Sequence, residues 1–479
     1  MSQSALSPRL QRLALLNVCL GQFMSALDSR SVIVALPTIS VQFGASMAVI
    51  QWILLAYQLT IIGLVLSLAR LGDTLSRKKI YGSGFLLLAF GSACCGLSTS
   101  LWQIIFFRVV EAIGGAMVLA NGRAIVSAFY AHEGRGRALG MASMAFHLGY
   151  IVGPSLGGFL IDTVGWRWIF FVNLPVAAAA AYMAWKILPE SATEKRAYTI
   201  DPIGMITLLM TVLSLILGLQ QIAKSGFDGF AVTALLVSAL FLRLLVYFER
   251  KAPAPLLDLS LFKVQLLTAG ILSHFFVSIS HASTFFLLPF YLQGILRFTP
   301  TQVGLTIIFF SVVIVFLAPV GGWLADRFGS RLLSTLGSAV TVISIIALSR
   351  AGAGASQIDV MIPLMILGLG WSLFQAPNLS GMFNAVAPRY VGAVSGLSLT
   401  SANIANGMGV AVGSLLFLRW LNYYGLAGAV VPPYTEWGQE PGIFTKSFQN
   451  SSIIIAGLAA IAIVTSAMRE VDKRARNAA

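Results

Sequence analysis

Few residues in this 479-residue chain can do ionic chemistry, and several of them interrupt long apolar runs. Asp28 and Arg30 break one run, Arg108 and Glu111 a second, and His274 and His281 a third. Arg108 and Glu111 are three apart, so on a helix they are neighbours on one face. A carboxylate buried beside a guanidinium feels two opposed effects: burial favours keeping the proton, and the cation favours losing it. Such a group can carry a proton, or it can be a plain structural pair, and both readings stand. Asp28 and Arg30 are two apart and do not share a helix face. Arg30 therefore presents its cation elsewhere, to a cavity or to the outer rim. His274 and His281 are seven apart, two turns, and share a face with Ser278. Histidine titrates near neutral pH, so a proton-responsive pair is one reading and neutral packing the other. Two turns put them ~10 Å apart along the axis, which disfavours a shared metal.

The elements that carry these residues follow from composition. Hydrophobic residues make up 57% of the chain and charged residues 10%, where a soluble domain carries about 25% charged. That is too little charge for a polar skin. Blocks such as 61–69, 84–96, 206–219 and 453–467 contain almost no charge. With their flanks they approach the ~20 residues a helix needs to cross ~30 Å of hydrocarbon. Fourteen spans are expected, from 13–36 and 49–70 to 391–419 and 451–468. Residues 422–450 read as an external loop containing Pro432-Pro433. Arg9 and Arg12 precede a run too long for a signal peptide, which reads as a retained first helix. The three cysteines, Cys19, Cys94 and Cys95, show neither metal-ligand spacing nor a disulfide framework. No nucleotide-binding loop pattern G-x-x-x-x-G-K-[ST] occurs, so no cofactor or ATP-driven step is expected.

The net charge of +14 is unevenly placed. Alternate connections are rich in Lys and Arg, among them Arg70, Arg77, Lys78 and Lys79, then Arg250, Lys251 and Lys263, then Arg327 and Arg331. The intervening connections hold few. Positive charge is retained on the cytoplasmic side, so both termini are expected inside and anionic lipid is the natural neighbour. A nucleic-acid surface is the weaker reading.

Leu71-Gly72-Asp73-Thr74-Leu75-Ser76-Arg77-Lys78 and Leu324-Ala325-Asp326-Arg327-Phe328-Gly329-Ser330-Arg331 are similar loops. Asp326 lies 253 positions after Asp73. Six spans take roughly 180–200 residues, so the surplus is about one helical hairpin. The expected plan is an N-terminal six-helix bundle over 1–189, a linker and two-helix insert over 190–265, and a C-terminal six-helix bundle over 266–479. Paired helical halves around a central site are an architecture of secondary transporters.

These motifs resemble the major facilitator superfamily, in particular its fourteen-helix drug:proton antiporter branch, over nearly the whole chain. The loop holding Asp73, Arg77 and Lys78 is similar to the family signature G-x-L-A-D-R-x-G-R-K, with Ala69 and Ser76 as departures. The resemblance implies a conformational switch there, with Asp326, Arg327 and Arg331 as its second copy. Arg108-Val-Val-Glu111-Ala-Ile-Gly114-Gly115 is similar to R-x-x-Q-G-x-G, with Glu111 and Ala112 departing. The resemblance links Arg108 to proton coupling. Gly149, Gly153, Pro154, Gly157 and Gly158 match the antiporter motif closely. Trp166 to Phe170 and Asn173-x-Pro175 also look like this branch. Leu27-Asp28 through Ala35-Leu36-Pro37 resembles the first-helix pattern L-D-x-T-I-V-N-V-A-L-P, with Arg30 in place of Thr. That departure puts a strictly cationic specificity in question.

The fold class expected is therefore all-α and integral to the membrane. The function expected is proton-coupled efflux of small amphipathic molecules by alternating access, in the inner or plasma membrane. Asp28, Arg30, Arg108, Glu111, His274 and His281 are the candidates for proton coupling and the substrate cavity. The partners are a small-molecule substrate, protons and the bilayer, with a monomer as functional unit. An exporter of an anionic metabolite is the alternative suggested by Arg30, Arg108 and Arg123. A membrane sensor is a third reading, and it lacks a soluble output domain.

Overall fold

The structure is a computed structural model that describes residues 8–130, 135–188, 201–252, 259–387, 390–426 and 440–469. The described residues are almost entirely helical and contain no strand. The helices are α1 (Pro8–Phe43), α2 (Met47–Ile50), α3 (Trp52–Thr74), α4 (Arg77–Leu97), α5 (Leu101–Phe129), α6 (Arg135–Thr163), α7 (Trp168–Phe171) and α8 (Asn173–Ile187). They continue with α9 (Pro202–Ser225), α10 (Gly229–Lys251), α11 (Gln265–Gly294), α12 (Pro300–Phe328), α13 (Ser330–Leu348), α14 (Gln357–Asn384), α15 (Val391–Leu421) and α16 (Pro441–Ala467). Fourteen stretches of described helix are long and apolar enough to cross a membrane. Every backbone donor inside hydrocarbon needs a partner, and the helix supplies one within the segment.

Local signals set several helix starts. The Ser100 hydroxyl accepts from the Gln103 N–H at the head of α5. The Asp228 carboxylate does the same for the Ala231 N–H at the head of α10. Thr299 with Gln302 and Ser356 with Asp359 form capping boxes for α12 and α14.

The chain divides into two compact units. Unit 1 comprises Met1–Ala35 and Trp52–Ile206, and unit 2 comprises Leu36–Gln51 and Thr207–Ala479. In unit 1, α5 packs on α3 and α4, and α4 packs on α8. In unit 2, α11 packs on α15 and α16, and α14 packs on α12 and α13.

The two units repeat one packing detail. A Cβ on Gly114 of α5 would lie 2.4 Å from Leu88 N and 2.6 Å from Gly84 O of α4. A Cβ on Gly370 of α14 would lie 2.9 Å from Thr341 N and 3.0 Å from Gly337 O of α13. Gly337 and Thr341 follow Gly84 and Leu88 by 253 positions, the same offset as the two loop aspartates. Gly370 follows Gly114 by 256. The halves thus share a helix crossing as well as a loop motif.

One expectation is corrected. Residues 441–450 are not loop: α16 begins at Pro441, ten residues before the expected span. This segment is too polar to read as membrane helix by composition. Apart from the exposed Lys446, its polar groups are buried or partly buried against protein. Phe444, Thr445, Ser447 and Phe448 are buried. The Phe448 ring stacks on Tyr291 at 4.2 Å, and Asn450 Nδ2 donates to Tyr424 Oη at 2.8 Å. Proline at a first turn loses no needed hydrogen bond, which suits Pro441 as a start. Pro432-Pro433 lies outside the described residues.

Helix α6 rests on α1 through three glycines spaced by four. A Cβ on Gly149 would lie 2.3 Å from Phe23 O, one on Gly153 2.8 Å from Arg30 Cβ, and one on Gly157 2.9 Å from Ser31 Cα. No side chain fits there without separating the helices. Gly140, on the same helix, has nothing within 4 Å. Gly149→Ala is therefore expected to lose ~1–3 kcal/mol by overpacking. Gly140→Ala is expected to be neutral or to gain up to ~1 kcal/mol in helix propensity. Thermal unfolding of the two purified variants checks this; equal midpoints would count against the close α1–α6 contact.

Candidate functional site

The ionic residues of unit 1 converge on one guanidinium. Arg108 is 1% exposed, Asp28 2% and Glu111 0%. Arg108 Nη1 donates to Asp28 Oδ2 at 2.7 Å and to Glu111 Oε2 at 2.9 Å. One nitrogen thus serves two carboxylates. Arg108 Nε also donates to Ile53 O at 3.3 Å, and its guanidinium lies 4.2 Å from the Tyr57 ring centroid. Helices α1, α3 and α5 each hold one side of it.

The two acids differ in their remaining contacts. Asp28 Oδ1 accepts from Asn173 Nδ2 at 3.1 Å, so both its oxygens are satisfied. Asn173 Nδ2 also donates to Ser92 Oγ at 3.2 Å, which brings α8 and α4 into the network. Glu111 Oε2 additionally receives the Cys95 thiol at 3.8 Å. Glu111 Oε1 is buried with no hydrogen-bond partner. The Ser92 hydroxyl gives its proton to Phe170 O at 2.9 Å instead. With both acids ionised the network holds two negative charges against one positive. A buried surplus charge carries several kcal/mol of desolvation. One proton would make the network neutral, and the unsatisfied oxygen belongs to Glu111.

The antiporter motif lies directly beside Asp28. Ser31 Oγ, one turn after Asp28, donates to Gly153 O at 2.9 Å and to Leu27 O at 2.8 Å. Gly149, Gly153, Pro154, Gly157 and Gly158 all belong to α6, and all five are buried. Arg30 turns away from Asp28 and sits 4.0 Å over the Tyr150 ring of α6. This is the divergence that a two-residue spacing on a helix dictates.

In unit 2, His274 and His281 share a face of α11, as their spacing requires, and Trp371 of α14 touches both. The His281 and Trp371 rings meet edge-on at 4.7 Å, and His274 lies 6.2 Å from Trp371. Phe374 stacks on His274 at 6.3 Å, and Phe310 tilts against His281 at 5.8 Å. His281 Nδ1 contacts Val277 O at 2.9 Å. The histidines are joined through an indole rather than by a direct bond.

The switch-loop residues are more dispersed. Arg77 Nη1 donates to Ala124 O at 3.4 Å, while Lys78 is partly exposed. The Asp73 and Arg123 side chains lie outside the described residues. Asp326, Arg327 and Arg331 are exposed, and Arg327 lies 5.8 Å from the Trp323 ring and 5.6 Å from the Phe328 ring. Ion pairs join Arg108 to Asp28 and to Glu111.

Asn173, Ser92, Cys95 and Trp371 belong to these clusters and are not among the candidates the sequence offers for the site, although Asn173 stands in the Asn173-x-Pro175 motif. Asn173 carried a signal, as a lone amide in the apolar stretch 168–188. Serine, cysteine and tryptophan are ordinary inside such helices and carry none.

Comparison with known proteins agrees with this geometry. The family model described as Major Facilitator Superfamily matches residues 18–410. The chain is 29% identical to the riboflavin transporter RibZ of Clostridioides difficile (strain 630), over 86% of this chain and 89% of that one. It is 30% identical to the multidrug resistance protein Stp of Mycobacterium tuberculosis, over 89% of this chain and 79% of that one. It is 27% identical to the tetracenomycin C resistance and export protein of Streptomyces glaucescens, over 96% and 91%. Among solved structures, a bacterial homologue of the human lysosomal transporter Spinster superposes with TM-score 0.71 at 17% identity, covering 97% of each chain. Fourteen helical stretches fit to cross a membrane and a family model matching most of the chain lead to one conclusion: the chain belongs to the Major Facilitator Superfamily and is a multi-pass membrane transporter.

Proposed function

We propose that this transporter exports small amphipathic molecules in exchange for protons, with Glu111 as the group that takes up the proton. The observation that carries the reading is the charge imbalance at Arg108. One guanidinium amino group holds two buried carboxylates, and only Glu111 keeps an oxygen without a partner. Asp28 has both oxygens engaged, one by Arg108 and one by Asn173. Protonating Glu111 leaves a neutral Arg108–Asp28 pair. Losing that proton restores a surplus charge that favours a conformation in which Glu111 reaches water. A proton that changes the relative stability of two conformations is what alternating access requires.

The anion-exporter reading has less support. Arg108 is committed to two acids, and Arg30 lies over Tyr150. Relatives named for multidrug resistance and for export of a natural product favour efflux. Riboflavin, which another relative is named for, belongs in the same substrate screen. The alternating positive charge supports cytoplasmic termini.

The test is transport in proteoliposomes with an imposed pH gradient, using acridone and riboflavin as solutes. Glu111→Gln and Asp28→Asn each leave Arg108 with one acid and no need of a proton. Both are expected to lose gradient-driven accumulation by about tenfold or more, the effect of ~1.4 kcal/mol in coupling. Exchange down a solute gradient should survive in Glu111→Gln. Gradient-driven transport at full rate in both variants would falsify the antiport reading.

A stability experiment addresses the same network. Arg108→Leu leaves two buried carboxylates without a counter-charge and is expected to cost ~3–5 kcal/mol. Adding Asp28→Asn and Glu111→Gln to Arg108→Leu removes those charges and should recover most of the loss. Thermal unfolding of the three proteins measures it, and no recovery in the triple variant would argue against charge imbalance as the cause.

A further inference from the structure

The internal repeat allows the buried centre of unit 1 to be compared with its counterpart in unit 2. Asp28, Tyr57 and Gly84 fall on His281, Phe310 and Gly337 at an offset of 253. Gly114 and Gly115 fall on Gly370 and Trp371 at an offset of 256. The contacts follow these offsets. In unit 1 the Tyr57 ring backs the guanidinium that holds Asp28. Gly115 leaves room for Tyr57, since a Cβ there would be 2.7 Å from the Tyr57 hydroxyl. In unit 2 the Phe310 ring backs His281, and Trp371 fills the place that Gly115 leaves open. The same point of the fold holds ions in one half and rings in the other.

The ring-lined half has the features of a binding face. Trp371 and Gln375 are one turn apart on α14, and both are partly exposed. His274 stacks on Phe374 behind them, with the rings inclined by 22°. His274 Nδ1 and Gln375 Oε1 are buried atoms whose side chains interact with each other and which have no other hydrogen-bond partner. Polar atoms with no other partner beside an indole suit a flat solute that brings its own donor and acceptor. Acidic groups are absent from the middle of this unit's described helices: Asp228, Glu249, Asp326, Asp359 and Glu440 all stand near helix ends. A fixed cation bound here would lack a counter-charge, and an aromatic face offsets only part of that cost.

We propose that the His274–Trp371–Gln375 face of unit 2 binds the transported solute and selects flat heteroaromatic molecules without a fixed positive charge. This rests on the transporter reading and is independent of proton coupling. The indole supplies the stacking surface, and His274 and Gln375 read the hydrogen-bonding edge.

Two probes with one ring system isolate charge from shape: acridone is neutral, and 9-aminoacridine is a cation at neutral pH. Binding of each to the purified full-length protein in detergent, with no pH gradient, is followed by probe fluorescence. Acridone should bind saturably, and 9-aminoacridine about tenfold more weakly or worse. Trp371→Ala should weaken acridone by about tenfold, as loss of one stacking platform does, and Trp371→Phe by much less. Gln375→Leu should weaken it by about fivefold through the lost hydrogen bond, and it decides the matter if Trp371→Ala does not fold. Absence of saturable acridone binding, equal or tighter binding of 9-aminoacridine, or acridone affinity unchanged in a folded Trp371→Ala or Gln375→Leu would each overturn the proposal. Since no gradient is applied, failure of the antiport reading would leave these measurements unaffected.

Discussion

The structure of the first half depends on one guanidinium serving two acids. Arg108 reaches Asp28 on α1 and Glu111 on its own helix, while α3 supplies the Ile53 carbonyl and the Tyr57 ring. Asn173 on α8 and Ser92 on α4 complete the ring of contacts. Five helices are tied to a centre that, with both acids ionised, holds two negative charges against one positive. In a low-dielectric interior such a centre is costly unless a proton joins it. In the proposed mechanism, this imbalance couples the protonation of a few atoms to the packing of a whole unit.

Small residues make that coupling geometrically possible. Gly149, Gly153 and Gly157 bring α6 into backbone contact with the turns of α1 that carry Asp28. Any change in the Asp28 turn is felt directly by α6, because there are no intervening side chains to absorb it. Pro154 lacks an N–H, so this part of α6 has one fewer hydrogen bond resisting a bend. A rigid contact next to a yielding helix suits the two conformations of the proposed exchange.

The two halves show how one scaffold can hold two chemistries. The Gly84–Gly114 crossing recurs as Gly337–Gly370, so the backbone frame is common. Onto that frame unit 1 places an acid, a base and a second acid. Unit 2 places two imidazoles and an indole. The frame constrains where side chains meet, and the side chains decide what meets there.

The membrane fold was legible in the sequence because its cause is local. A run of about twenty apolar residues must form a helix in hydrocarbon, whatever its neighbours are. The repeat and the buried ionic residues were legible for the same reason: a motif, or a charge in an apolar run, is visible without knowing its contacts. The start of α16 was not, since the polar stretch 441–450 is helical only because Tyr291 and Tyr424 meet it. Nor was the sharing of Arg108 between Asp28 and Glu111, which lie 80 and 3 positions away. Residue types by themselves determined that this chain is a bundle of membrane helices with a few expensive polar groups inside. Tertiary packing alone decided which of those groups share a hydrogen, because that depends on which helix faces touch.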